Sequence, residues 1–158
     1  MELESLYEQI ILDHYRLRFG RGLREPFTAQ AHHVNPSCGD EITLRVRLGE
    51  GPDPVLEDIS YSADGCCSIS QASMSVLAEQ VTGEPLSAWR RRHEAFLEMM
   101  RGRGAVQPDE DVLGDAVAFA GVARLSNRVK CALLGWMALQ DAIGQSLAAA
   151  ASAEGNGS

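Results

Sequence analysis

The sequence predicts an α+β fold, a three-stranded antiparallel sheet with helices packed on one of its faces. Three observations carry that expectation. Strand-patterned stretches are grouped between residues 28 and 63, and the chain beyond residue 63 reads as helix or loop, the order of a segregated rather than an alternating fold. The segments between the strands are too short for helical crossovers, so neighbouring strands must pair antiparallel. At 158 residues and 45% hydrophobic content, the chain hides roughly 70% of its unfolded surface, enough for one self-sufficient core.

The elements are taken in chain order. From Leu3 to Leu17 the apolar positions Leu3, Leu6, Tyr7, Ile10, Ile11 and Leu17 recur at helical spacing, and Gly20 and Gly22 end the helix and open a loop to Pro26. Thr28 to Val34, Ile42 to Leu48 and Val55 to Ala63 read as strands, the second alternating as Ile-Thr-Leu-Arg-Val-Arg-Leu. Gly49-Glu50-Gly51-Pro52-Asp53-Pro54 is a turn between the second and third. Ile69, Ala72, Val76, Leu77 and Val81 predict a helix over 68–81, stopped by Gly83 and Pro85. A second helix runs from Leu86 to Met100 with Trp89, His93, Phe96, Leu97 and Met100 on its apolar side. Arg101 to Asp111 carries two glycines and a proline and reads as a loop, followed by a short helix over 112–122. Ser126 or Asn127 can cap a longer final helix, with Val129, Leu133, Trp136, Met137, Gln140 and Ile143 on one stripe. The expected organisation is one domain over 1–147 and a disordered tail over 148–158, rich in Ala, Ser and Gly.

Charge excludes several classes. Fourteen basic against 22 acidic residues leave −8, without the basic footprint that a general nucleic-acid binder needs. No apolar run approaches the ~20 residues that span a bilayer, and the start Met1-Glu2-Leu3-Glu4 is acidic rather than signal-like. A cytoplasmic protein with no membrane and no nucleic-acid partner is expected. The basic cluster Arg90-Arg91-Arg92-His93, with Arg101 and Arg103, reads as a solvated helix face or a partner-docking patch.

The four cysteines Cys38, Cys66, Cys67 and Cys131 form no CxxC pair, so no zinc-finger spacing is present. Cys38 and Asp40 flank Gly39 in the turn Asn35-Pro36-Ser37-Cys38-Gly39-Asp40; residues two apart in extended chain point to one side and can converge on one ion. Cys67 lies at the predicted start of a helix and Cys131 in the first turns of another, and a helix N-terminus favours a thiolate. Three thiolates and a carboxylate suit zinc or one side of an iron–sulfur cluster, although spacing alone leaves scattered core cysteines as an equal reading.

The stretches Asn-Pro-Ser-Cys-Gly-Asp (35–40), Gly-Cys-Cys-Ser-Ile-Ser-Gln-Ala-Ser (65–73) and Arg-Val-Lys-Cys-Ala-Leu-Leu-Gly-Trp (128–136) resemble the IscU-type iron–sulfur cluster assembly proteins. The match is closer to the SufU branch, which the opening Leu6-Tyr7 … Asp13-His14-Tyr15 also resembles, and the likeness covers about 2–145. It implies an IscU-like fold and Cys38, Asp40, Cys67 and Cys131 as metal ligands. Where IscU has a histidine before its third motif cysteine, this chain has Lys130, and Leu125-Ser126-Asn127-Arg128 lacks the chaperone-recruiting Leu-Pro-Pro-Val-Lys stretch. The segment around 101–111 matches a SufU insertion. SufU-type proteins bind Zn²⁺ and accept sulfur from a cysteine desulfurase (SufS-type), passing it toward downstream iron–sulfur assembly proteins; IscU-type proteins build [2Fe–2S] clusters.

The resemblance therefore implies a zinc-dependent sulfurtransferase partner, with a [2Fe–2S] or iron-binding scaffold as the alternative. Cys38, on a glycine-flanked loop, is the expected sulfur acceptor. Arg128, three residues before Cys131 and on its helix face, matches an arginine of the SufU pattern, and its guanidinium is expected to hydrogen-bond the ligands or Asp40; an ordinary solvated arginine is the equal reading. Cys66 is expected to be a spectator, since adjacent extended side chains point oppositely. His14, His32, His33 and His93 match no ligand and read as surface or half-buried histidines. A module whose zinc only holds the fold, and a redox protein using Cys66-Cys67, are the remaining readings; the second needs a strained vicinal disulfide.

Overall fold

A computed structural model describes residues 3–37 and 39–156 of the chain. Helix α1 (Leu3–Leu17) precedes strands β1 (Ala29–Val34), β2 (Glu41–Leu48) and β3 (Leu56–Ser62); then come α2 (Ser68–Val81), α3 (Leu86–Arg101), α4 (Glu110–Leu113), a 3-10 segment (Gly114–Arg124) and α5 (Ser126–Asn156). The sheet has the order β1-β2-β3 with both pairings antiparallel. One helix, then the three strands together, then the remaining helices, with the sheet and helices segregated, is the α+β architecture the sequence predicts.

Alternation decides which face is covered. Ile42, Leu44 and Val46 of β2 are buried, and the register places Ala31, Leu44 and Tyr61 in one row across the three strands. The opposite face is held by polar cross-strand pairs: Arg45 Nε donates to Gln30 Oε1 at 2.8 Å, and His32 Nδ1 meets Thr43 Oγ1 at 2.8 Å. Helix α5 lies across β1 and β2, α2 runs beside it, and α1 packs on the outside of α2. The 3-10 segment fills the space between α1, α3 and α5.

The helical layer closes on an aromatic stack. Trp136 of α5 lies parallel to Phe96 of α3 with ring centroids 4.0 Å apart, Trp89 lies 6.0 Å from Trp136, and Phe119 meets Phe96 edge-on. Burying each such ring contributes about 1.5–3 kcal/mol. His93, expected on the apolar side of its helix as a surface or half-buried residue, is only 6% exposed, its ring stacked 4.4 Å from Trp89 inside this cluster. His14 is likewise buried, its ring nitrogens facing Ser75 Oγ at 3.1 Å and Asp115 Oδ2 at 3.2 Å, which ties α1 to α2 and the 3-10 segment.

Three expectations differ from the structure. The helix predicted over 112–122 is a four-residue α4 followed by a 3-10 run, the α ladder being interrupted at Gly114, whose φ is +52°. Neither Ser126 nor Asn127 caps α5: the 3-10 segment feeds directly into it, and the carbonyl of Leu125 accepts the first N–H groups, from Arg128 at 2.7 Å and Val129 at 3.2 Å. Of the tail expected to be disordered over 148–158, residues 148–156 are helical, in keeping with the high helix propensity of their alanines, and 157–158 lie outside the described residues. Residues 148–153 are exposed, so no packing supports that extension.

Candidate metal centre

Three elements converge at one end of the sheet, and the turn between β1 and β2 comes first. Asn35 folds it: its Oδ1 accepts the Ser37 N–H at 3.1 Å, its carbonyl accepts the Gly39 N–H at 2.8 Å, and its own N–H donates to the Asp40 carbonyl at 2.7 Å. Gly39 closes the turn at φ +76°, a left-handed conformation that suits glycine. The reversal delivers Asp40 inward, 7% exposed.

Helix α2 supplies the second element. Cys67 is its N-cap residue, in extended conformation, and its own side chain makes no capping bond. Asp40 takes that role from another element: its two carboxylate oxygens accept the Cys67 N–H at 3.2 and 3.3 Å. A carboxylate at a helix N-terminus stabilises the helix by roughly 0.3–1 kcal/mol. Ser70, one turn along the same face, donates to Asp40 Oδ2 at 2.9 Å and stands 3.5 Å from Cys67 Sγ.

Helix α5 supplies Cys131, 1% exposed, whose sulfur receives Asn35 Nδ2 at 3.8 Å. Its height against α2 is fixed by Ser73, which donates to the Ala132 carbonyl at 2.7 Å and accepts the Trp136 indole N–H at 2.9 Å. The helices approach closely because residue 135 is glycine; a Cβ there would sit 2.5 Å from Met74 Sδ.

A carboxylate oxygen of Asp40 and the sulfurs of Cys67 and Cys131 therefore lie within 4.8 Å of one another. A tetrahedral zinc with Zn–S bonds near 2.3 Å spaces its sulfur ligands at about 3.8 Å, so a small inward movement of these side chains suits such an ion. Soft thiolates with one carboxylate fit zinc and iron in donor chemistry. Two N–H donors, from Cys67 and Asn35, and the Ser70 hydroxyl surround the set, the outer support expected around metal ligands.

Of the residues singled out in the sequence, Asp40, Cys67 and Cys131 are brought together, while Cys38 lies outside the described residues. Arg128 is exposed on α5, and its guanidinium makes no hydrogen bond to the described residues. Cys66 is turned away into the core, its Sγ donating to the Glu41 carbonyl at 3.1 Å. His32 and His33 stand on the sheet with Thr43 and Asp141. His14 with Glu79 and Asp115 forms a second group of donor atoms within 4.8 Å, apart from the cysteines. Sequence reasoning missed Asn35 as a donor to sulfur and Ser70 and Ser73 as the links between elements. The one available signal was spacing: Ser70 and Ser73 follow Cys67 at intervals of three, on one helix face.

The model of the NifU-like N-terminal domain matches residues 6–132. The zinc-dependent sulfurtransferase SufU of Bacillus subtilis is 34% identical over 143 residues, covering 89% of this chain and 91% of the relative. An iron–sulfur cluster assembly scaffold protein IscU of Streptococcus pyogenes is 34% identical over 145 residues, 92% of this chain and 87% of the relative. Among solved structures, the SufU of Fervidobacterium islandicum, described as a scaffold protein for the SUF system, superposes with a TM-score of 0.74 at 34% identity, over 89% of this chain and 98% of its own. The N-terminal NifU-like protein of Brucella abortus gives 0.75 at 26% identity, over 91% and 96%. With three motifs in order, a three-stranded sheet under helices and relatives matched over nearly their whole length, the chain belongs to the NifU-like N-terminal domain family, the group of the IscU- and SufU-type iron–sulfur cluster assembly proteins.

Proposed function

We propose that the chain serves iron–sulfur cluster assembly as a zinc-binding sulfur acceptor, taking persulfide sulfur from a cysteine desulfurase of the SufS type in the cytoplasm and handing it to downstream assembly proteins. The observation that carries the reading is the convergence of Asp40, Cys67 and Cys131 from three separate elements on one small volume. Cys38 stands two residues before Asp40 on the same turn and is assigned here as the fourth ligand and the acceptor. Lys130 before Cys131, in place of the histidine of the IscU pattern, favours the SufU activity over a cluster scaffold. Among the described residues no helix is long and apolar enough to cross a membrane, in keeping with a partner that meets its desulfurase in solution.

Zinc bound here would hold the thiolates ionised at neutral pH without redox chemistry of its own. Sulfur transfer then takes the course of thiol–disulfide exchange. The Cys38 thiolate attacks the outer sulfur of the donor's cysteine persulfide, the sulfur–sulfur bond breaks, and the donor cysteine leaves as its thiolate, so that Cys38 carries the persulfide with no net oxidation. Asn35 keeps the turn folded and donates toward Cys131, while Asp40 holds the start of α2. Arg128, exposed on α5 three residues before Cys131, is assigned to contact with the incoming partner rather than with the ligands.

Anaerobic purification with metal analysis and a visible spectrum tests the metal, and desulfurase turnover with zinc-loaded and zinc-stripped protein tests the activity. Stoichiometric zinc, no colour and a desulfurase accelerated only by the loaded form are expected. Iron with the absorption of a [2Fe–2S] cluster would make the chain a scaffold instead. A normal rate of labelled-sulfur uptake by Cys38→Ala would remove the acceptor assignment.

A further inference from the structure

The opening Asp13-His14-Tyr15 takes no part in the cysteine chemistry, yet His14 is the buried residue of α1. Its Nε2 stands 3.2 Å from Asp115 Oδ2, and with a carboxylate oxygen of Glu79 these donor atoms all lie within 4.8 Å of one another. Glu79 makes no hydrogen bond or ion pair to the described residues. Two carboxylates thus surround one imidazole, and negative charge is left over whichever protonation state the ring takes.

The surroundings hold each donor in place. Ser75 is fully buried; its Oγ accepts the Phe19 N–H at 3.0 Å and keeps a second lone pair for His14 Nδ1 at 3.1 Å. With the ring proton on Nδ1 and donated to Ser75, the Nε2 lone pair faces Asp115. That is the arrangement of a metal-binding imidazole, whose other nitrogen is tied to an outer partner. Glu79 lies one turn beyond Ser75 on α2. Beside it, Gln80 Nε2 donates to the Leu113 carbonyl at 2.7 Å, and glycine at 114 permits the approach, since a Cβ there would sit 2.8 Å from Gln80 Nε2. These contacts set Asp115 against α2. Metal bonds of about 2.1 Å space neighbouring ligands about 3.0–3.4 Å apart. His14 and Asp115 already have that spacing, and rotation of the exposed Glu79 side chain completes the set.

We propose that His14, Glu79 and Asp115 form a second cation site, apart from the cysteine centre, which takes one divalent transition ion through nitrogen and oxygen and clasps α1 to α2 and the 3-10 segment. The imidazole favours such an ion over Mg²⁺ and Ca²⁺, and the lack of sulfur separates the site in kind from Asp40, Cys67 and Cys131. Helix α1 has the most to gain: Leu3, Leu6, Leu12 and Leu17 are exposed, so few buried side chains hold it. An ion that binds only the folded chain shifts the folding equilibrium by about a hundredfold when present at a hundred times its Kd.

The test titrates Mn²⁺, which prefers oxygen and nitrogen to thiolate, into the full-length protein after one equivalent of Zn²⁺ has been given to the cysteine centre. Free Mn²⁺ is counted by electron paramagnetic resonance in wild type, Glu79→Gln and Asp115→Asn. Both carboxylates are exposed and the amides keep their shape, so the variants should fold. Wild type is expected to bind one equivalent, and each variant to bind it at least about tenfold more weakly. Mn²⁺ should broaden the His14 ring resonances before those of His32 and His33, and amide exchange along α1 should slow in wild type but not in the variants. Mg²⁺ at equal concentration should leave the Mn²⁺ in place. No bound Mn²⁺, equal affinity in the variants, or α1 exchange untouched by the ion overturns the proposal. Earlier broadening at His32 or His33, or ready displacement by Mg²⁺, overturns it too and reduces the binding to a diffuse acidic surface. Failure of the cysteines to take up zinc bears on the proposed function alone, since Mn²⁺ is counted in the same way without it.

Discussion

Replacing Ser73 by alanine should destabilise the fold through one atom. Ser73 Oγ lies 1% exposed between α2 and α5, accepting the Trp136 indole N–H at 2.9 Å and donating to the Ala132 carbonyl at 2.7 Å. Removing it loses a neutral hydrogen bond, about 1 kcal/mol, and leaves the N–H of a fully buried indole without its described acceptor, a further ~1–2 kcal/mol. The total of about 2–3 kcal/mol corresponds, for a chain of this size, to a melting temperature lower by roughly 5–10 °C. Urea unfolding of the metal-free, reduced protein measures it, with an unchanged m-value showing that only stability moved. In a Trp136→Phe background there is no indole N–H to strand, so Ser73→Ala should cost only the ~1 kcal/mol of the bond to Ala132, a coupling of about 1–2 kcal/mol. Because this contact sets the height of Cys67 against Cys131, zinc affinity of Ser73→Ala should fall as well. A loss below about 0.5 kcal/mol, or strictly additive mutations, would refute the assignment of this contact as the pin between the helices.

Other expectations concern the second cysteine, the buried histidine and the C-terminal helix end. Cys66→Ser should leave metal stoichiometry and sulfur uptake unchanged, since its sulfur faces the Glu41 carbonyl and a serine hydroxyl can make the same bond; loss of a ligand equivalent on metal analysis would contradict this. Burial holds the His93 imidazole below its ordinary value of 6.5, against the smaller raising effect of Gln140 beside it. The unfolded chain then takes up the proton first, so stability contributed by the neutral ring is full above about pH 6.5 and falls as pH drops below it. His93→Phe should flatten that part of the stability curve relative to wild type, and identical pH slopes for the two proteins would count against it. Truncation after Leu147 should change stability by less than about 0.5 kcal/mol and leave zinc binding intact, because residues 148–153 are exposed; amide exchange should show protection decaying along the same stretch.

How far the sequence could be read depended on the range of the interaction. Period-two alternation in Ile42 to Leu48 and helical spacing in 68–81 and 86–100 are local signals, and they located β2, α2 and α3 to within a residue or so. The 3-10 run over 114–124 was not legible, because its alanine-rich composition suits an α-helix equally well and only the fit between α1, α3 and α5 selects the tighter winding. The burial of His14 was hidden for a similar reason: a histidine's polarity says surface, while Ser75 and Asp115 make the interior acceptable; His93 already lay on the apolar stripe predicted for its helix, and stacking on Trp89 completes its burial.

The site shows the same division. The residue types of the donor set and their order along the chain were available from the motifs alone, because thiols and a carboxylate beside glycine are chemically distinctive wherever they fold. Which asparagine and serine reach the donors, and that one carboxylate serves both as helix cap and as candidate ligand, were decided only when β1–β2, α2 and α5 met. Those contacts join residues 27 to 96 positions apart, and no local preference of the chain encodes a hydrogen bond across that separation.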